Sequence, residues 1–400
     1  MRFKFTVALF LVSSSISFVE AAIDIIFDYS YDSNNWFGDE QRYIMDQVAY
    51  VYESRLGSES FAGYRPNEDL GLSTVSASLA LTNPSTAASL NISVGSTTAD
   101  GNVIGKKDEL VIFLGARNHG FSSNSVLATA GPTGFGYSSG DATESSTFDA
   151  RISSKNNSSN FEPLAGSSQV NSSQSFYFDT DLTTHDDLVT GAGANLTDFY
   201  SVMVHEIGHV MGFIGNFSQA WAANSSGGFW TGQNAKDEYG DGTQNIPLYD
   251  DAHWDLPTDG SQSNNGDLVP GSVKCACHPS MLPTIGRGTR TSFTDLDFAL
   301  LKDLGYSISS APSGTLGPGG SNTNSYTDPD WGGTFDIPIK ESYSNWLKTN
   351  ETGIEGGEVL PASAAPEPAF LFSFMGGFFA LFYGRKNLFK LKNKFFSSST

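Results

Sequence analysis

Cysteine is nearly absent: Cys275 and Cys277 are the only two in 400 residues. A bridge between residues two apart is strained and rare, and two thiols beside one histidine, His278, fall short of a closed four-ligand metal site. The pair therefore reads as a local loop disulfide or as free thiols. Positive charge is scarce too, with 22 lysines and arginines against 43 acidic residues and a net charge of −21. A surface so acidic repels nucleic acid and anionic lipid, and it suits a protein soluble outside the cell. No internal repeat is visible. What is present is apolar enough to fold. A composition of 39% hydrophobic and 16% charged residues suits one large core or two smaller ones, with many loops, and excludes a disordered tail.

Both ends carry sorting features. Residues 1–22, MRFKFTVALFLVSSSISFVEAA, begin with Arg2 and Lys4, continue through an apolar stretch and close on Ala21 and Ala22, the layout of a secretory signal. Residues 361–400 hold a Pro-Glu-Pro triplet at 366–368, an apolar run from Ala369 to Tyr383, and a basic cluster of Arg385, Lys386, Lys390, Lys392 and Lys394. As a helix that run reaches only about 23 Å against a hydrocarbon core of roughly 30 Å, short for a permanent span. The basic cluster stays inside the cell, which leaves the acidic body outside. In order and spacing this tail resembles the bacterial PEP-CTERM sorting signal, which implies an exosortase-type enzyme as a processing partner. A plain tail anchor would also put the body at an outer surface, with membrane contact only through the C-terminal segment.

Between the ends, residues 23–30, 109–115 and 174–180 read as strands, and 41–56, with Ile44, Val48, Val51 and Leu56 before Gly57, as an amphipathic helix. Residues 308–333 have linker composition and 334–360 show no usable pattern, so 308–360 is expected to be linker, partly disordered. That leaves 23–307 as the folded body.

The strongest helical pattern is 198–214, DFYSVMVHEIGHVMGFI, with Thr197 placed to cap it and Asp198 at the positive end of its dipole. It is apolar on nearly every side and should be buried. His205 and His209 lie four apart, so both imidazoles leave one face about 6 Å apart along the axis, and Glu206 projects beside them. Placing a carboxylate and two imidazoles in an apolar helix is costly unless something satisfies them, and a zinc ion does so directly. On a helix that also carries Gly208 and Gly212, HExxH points to metal rather than to two hydrogen-bonded core histidines.

A catalytic zinc holds three protein ligands and one water. In the compact pattern HExxHxxGxxH the third histidine would be residue 215, which here is glycine. His119 and His185 precede the helix in loop-like sequence and read as surface residues. The remaining candidates are His253 in YDDAHWDLP, His278 in KCACHPSML, and a carboxylate, Glu238, in NAKDEYGDG, which looks like a loop.

HEIGHVMGF, an insertion, Ala-His-Trp at 252–254 and a methionine in PSMLP at 279–283 together resemble leishmanolysin and related bacterial metzincins. The resemblance implies an α+β fold: a metzincin-like zinc protease domain with a twisted mixed sheet, an active-site helix and a C-terminal helix. Residue by residue it implies one catalytic Zn2+ on His205, His209 and His253, Glu206 as general base, and Met281 as the methionine of the turn beneath the metal. The segment 289–306 resembles the closing helix, with Thr294 and Asp297 as a capping box and Gly305 as the stop. Any calcium site is unknown.

The sequence departs from the pattern in having no tyrosine close behind Met281 to steady an oxyanion. Arg287 and Arg290 are the candidates for that role, although solvated loop arginines are the commoner case. No cysteine lies upstream, so a cysteine-switch propeptide is not expected. The expected activity is hydrolysis of peptide bonds in a peptide or protein substrate, by water on zinc activated by Glu206, with the substrate extended along an edge strand, 174–180. The alternative is a surface or extracellular-matrix structural protein that keeps the fold without turnover.

Overall fold

The computed structural model describes residues 23–57, 61–118, 126–182, 188, 191–240, 242–256, 279–309, 323–327 and 334–350. The N-terminal signal, the C-terminal sorting segment, His119, His185, His278 and both cysteines lie outside them.

The chain is mixed α+β. Its first half runs β1 (Asp24–Asp28), α1 (Asp39–Glu53), β2 (Val75–Thr82), β3 (Ser89–Ser93), β4 (Glu109–Arg117), β5 (Ala128–Pro132), β6 (Gly134–Ser139), α2 (Ala142–Lys155) and β7 (Gly166–Asn171). The main sheet has the order β1-β4-β7-β5. The first three strands are parallel, with Asp24 opposite Glu109 and Ile112 opposite Gly166. β5 closes one edge antiparallel, Thr129 facing Gln169. β4 is apolar along its length because both its faces are covered. Leu110, Ile112 and Leu114 join the core shared with α1 and the later helices, whereas Val111 and Phe113 point to the opposite side and meet residues of β2 and β3. There β2 pairs antiparallel with β3 and β6 in a second sheet.

The second half is richer in helix. β8 (Phe176–Tyr177) pairs with β9 (Thr197–Asp198), which leads directly into α3 (Phe199–Met211). Then come α4 (Gln219–Asn224), a small sheet of β10 (Ser225–Ser226), β11 (Phe229–Trp230) and β12 (Ile246–Pro247), with α5 (Gln233–Tyr239) between the last two strands, and α6 (Asp295–Asp303). α3 packs against β5 and α1. Two tyrosine hydroxyls donate into its carbonyls: Tyr52 of α1 to Val204 at 2.6 Å and Tyr306, just past α6, to Met211 at 2.9 Å. No helix among the described residues is long and apolar enough to cross a membrane.

Two expectations need correction. The strand expected over 174–180 is only two residues long, and its pairing is spent on Thr197–Asp198. The free edge nearest α3, among the described residues, belongs to β5. The segment 308–360 is not linker throughout. It contains a hairpin of β13 (Thr323–Thr327) and β14 (Thr334–Pro338), followed by α7 (Tyr343–Asn350). Its second part docks on α1: Tyr43 donates to the Glu341 carbonyl at 2.9 Å, the Lys340 amide to Gln47 Oε1 at 2.8 Å, and the Trp346 indole to Asp46, with Ile337 and Trp346 buried. Aromatic residues spaced too irregularly to give a period, Tyr343 and Trp346, pack against Tyr43, one tilted and one edge-on, and make this strap.

Trp346→Ala tests the docking. Loss of a buried tryptophan costs roughly 3 to 5 kcal/mol, so the undocked fraction should rise by a factor of about 100 to several thousand. Limited proteolysis should then cut within 334–350 while the rest of the body resists; unchanged protection would show that the strap is not held by this residue.

Candidate metal centre

All thirteen residues of α3 are buried, so the helix is fixed by packing rather than by propensity. It begins one residue later than the sequence suggests, with Asp198 rather than Thr197 as the cap. The Asp198 carboxylate accepts from the Ser201 amide at 3.2 Å and from the Ser201 hydroxyl at 2.6 Å, while Thr197 is in β9. The helix stops at Gly212, whose φ of 129° disfavours other residues and whose Cβ would run into Leu304 and Phe161.

His205, His209 and His253 converge. Nε2 of His205 lies 3.1 Å from Nε2 of His209 and 3.3 Å from Nε2 of His253. Each ring's other nitrogen has an acceptor. His205 Nδ1 meets the Ser280 carbonyl at 2.7 Å, His209 Nδ1 the Phe213 carbonyl at 2.6 Å, and His253 Nδ1 both oxygens of Asp250 at 2.9 Å. A carbonyl can only accept, so Nδ1 of His205 and of His209 carries the proton, and the neutral ring then presents a bare lone pair at Nε2. Asp250 fixes the same tautomer at His253. Three lone pairs aimed at one point cannot hydrogen-bond to one another. They form a site that can hold a metal ion, and the three rings are the one such group of histidine, cysteine and carboxylate side chains found among the described residues.

Burial acts in the same direction. It lowers the His205 imidazole well below its ordinary value, with His209 and His253 adding to the shift, and it pushes His209 down to about 3. Both rings are therefore neutral, the form that binds metal. Burial raises the Asp250 carboxyl, but the hydrogen bond and charge of His253, the Ala252 amide and His209 together outweigh that and hold it below the ordinary carboxylate range. Glu206, the residue after His205, is 1% exposed.

Why residue 215 is glycine is clear from the loop that supplies His253. Gly215 has φ 67°, and a Cβ there would strike the backbone and Cβ of Asp251 at 2.6 Å. The third histidine thus arrives from a remote loop that occupies the space a side chain at 215 would need. That loop is closed by a bridge between Leu248 and Trp254 and by the Tyr249 amide donating to the His253 carbonyl at 3.0 Å. Met281 is fully buried under α3, where Gly208 leaves it room: a Cβ at 208 would overlap Met281 Sδ. The Trp254 amide donates to the Met281 carbonyl at 2.9 Å and ties the ligand loop to the methionine turn.

The other candidates fall elsewhere. Glu238 sits half-buried on α5, a helix rather than the loop its sequence suggests, and is not part of the histidine cluster. His278 lies outside the described residues. Arg287 is exposed and its backbone pairs with Thr197. Arg290 is neither a solvated loop arginine nor turned to the site. It is 1% exposed, with Nε 3.0 Å from Asp198 Oδ2 and a terminal nitrogen 2.6 Å from Asp179 Oδ2. A guanidinium held between two buried carboxylates serves the helix cap, and the oxyanion role assigned to it has no support.

Four groups escaped the sequence reading: Asp250, the Ser280 and Phe213 carbonyls, and the reach of Asp297 beyond its own helix. Only Asp250 left a trace, as an acid three residues before His253. Asp297, fully buried, is raised by burial to about 6 against the pull of its donors.

His253→Ala should lose stoichiometric metal and Glu238→Ala should keep it, as read by metal analysis of the purified chain; the reverse would refute the ligand set. Gly208→Ala should cost roughly 1 to 3 kcal/mol by forcing Met281 aside, measurable by urea unfolding.

No protein-family model, curated protein or solved structure matches this chain.

Proposed function

We propose that the chain is an exported zinc-dependent endopeptidase of the metzincin kind. The observation that carries this reading is the convergence of three imidazole Nε2 atoms, on His205, His209 and His253, with a buried glutamate, Glu206, following His205 on the helix. Zinc fits the donor set. Zn–N bonds of about 2.0 to 2.1 Å at tetrahedral angles imply nitrogen separations of about 3.3 to 3.4 Å, close to the 3.1 and 3.3 Å found. Three neutral histidines would leave the charge of a bound divalent ion undiminished. When bound, zinc supplies a Lewis acid that polarises a scissile carbonyl and makes water acidic near neutral pH. Glu206 takes the proton from the attacking water and passes it to the leaving amine.

A helix under a mixed sheet, the remote third histidine, the buried Met281 turn and the capped closing helix all support the metzincin assignment. The substrate is read as an extended peptide along the free edge of β5, the strand that packs on α3. Export rests on residues 1–22 and retention at the cell surface on residues 361–400, with an exosortase-type enzyme as processing partner.

Glu206→Ala should keep one zinc per chain and lower cleavage of an unfolded protein by a factor of about 100 or more. Wild-type chain with stoichiometric zinc that cleaves nothing would favour the surface structural protein instead.

A further inference from the structure

We infer that Asp297 is a positioning residue for the metal centre, orienting two of its three histidines from the closing helix. A capping box needs this carboxylate only to accept from the Thr294 amide, which it does at 2.8 Å. Asp297 reaches well beyond its helix. The same Oδ2 also accepts from the Thr294 hydroxyl at 2.8 Å and from the Ser280 amide at 3.0 Å, while Oδ1 accepts from the Trp254 indole at 2.8 Å. Ser280 is the residue whose carbonyl holds His205 Nδ1, and Trp254 is the neighbour of His253. One buried charge thus fixes the methionine turn and the ligand loop together, although they are separated in sequence by the segment 257–278. The two segments also bond to each other, Trp254 amide to Met281 carbonyl, so a shift of either moves both histidines. The lever is steep because the Nε2 atoms sit just over 3 Å apart, where small ring rotations displace the lone pairs from their common point.

The inference rests on the metal reading but not on catalysis, and its test reads metal affinity rather than turnover. Three variants of the full chain separate positioning from structural support. Asp297→Asn, with its amide oxygen in the Oδ2 place, keeps an acceptor for Ser280 and Thr294 but turns an NH2 toward the indole N–H. Trp254→Phe deletes that N–H and keeps an aromatic ring. Thr294→Val removes the capping hydroxyl alone. Zinc affinity is measured by competition with a chromogenic chelator, and the thermal midpoint of the metal-free chain is measured in parallel.

Asp297→Asn and Trp254→Phe should weaken zinc about tenfold or more, the range found when groups that orient metal ligands are removed. Thr294→Val should lower the midpoint and leave zinc affinity within about twofold. Equal loss of affinity in Thr294→Val and Asp297→Asn would reduce Asp297 to a helix cap, and unchanged affinity in both Asp297→Asn and Trp254→Phe would overturn the inference. If Asp297→Asn does not fold, Trp254→Phe decides by the same criterion. Wild-type chain that binds zinc but cleaves nothing leaves the inference standing and removes only the peptidase reading, whereas wild-type chain that binds no zinc removes both.

Discussion

Three nitrogen lone pairs aimed at one point, inside a core, are an arrangement no folded protein maintains without cause. Two neutral imidazoles can share a proton, one donating to the other; here that is prevented, because Ser280 and Phe213 offer only carbonyl oxygens to the outer nitrogens and Asp250 offers a carboxylate. The protons are pinned on the outside of the cluster. Protonating a ring would bury a charge among apolar side chains, at a cost that already holds His209 near 3, whereas a bound cation would take up the lone pairs together. The rest of the second half of the chain can be understood as the means of holding those outer acceptors still.

The acceptors come from separate pieces of chain. Phe213 follows the helix end that Gly212 permits, Ser280 stands in the turn before a fully buried methionine, and Asp250 lies at the start of the loop that brings His253. Each piece depends on a close approach that only glycine allows, Gly212 against Leu304, Gly208 against Met281 and Gly215 against Asp251. The glycine spacing of the motif helix is thus a packing requirement of the metal centre, as much as a way to end the helix.

Much of this was legible in the sequence and some was not, for identifiable reasons. The motif helix was plain, since a run apolar on all sides interrupted by His, Glu and His admits few explanations. β4 was equally plain from ELVIFLG, and α6 from its capping box. β2 was overlooked although it alternates strictly, Val75, Ala77, Leu79 and Leu81 all buried, because small serines and alanines dilute the contrast. The strap at 334–350 left no period to detect, for two strand turns and two helical turns are shorter than the window a pattern needs. The third ligand could be narrowed to three candidates by spacing, and only the fold brings His253 to the pair while keeping Glu238 on a separate helix. Arg290 misled for a different reason. A loop arginine is usually solvated, and nothing near it in sequence announces partners 92 and 111 residues away.

Those partners complete the physical picture of α3, which is held at its start by charge and along its length by packing. At its start, Arg290 forks onto Asp198, the cap, and onto Asp179, so one buried cation faces two buried carboxylates. Burial opposes the guanidinium's charge, and the two carboxylates outweigh it. The excess negative charge sits at the helix N-terminus, where unsatisfied amides and the helix dipole favour it. Asp297 draws in amide, hydroxyl and indole donors from three segments, one of them the Ser280 turn whose carbonyl meets His205 in the middle of α3. Buried charges of this kind add little net stability, because desolvation consumes most of what pairing returns. What they do well is forbid alternatives: a helix slipped by one residue, or a turn shifted by an ångström, would leave a carboxylate stranded in the core. In a protein whose site needs three rings placed to a few tenths of an ångström, that geometric strictness is the reason to spend charges in the interior of a chain otherwise poor in them.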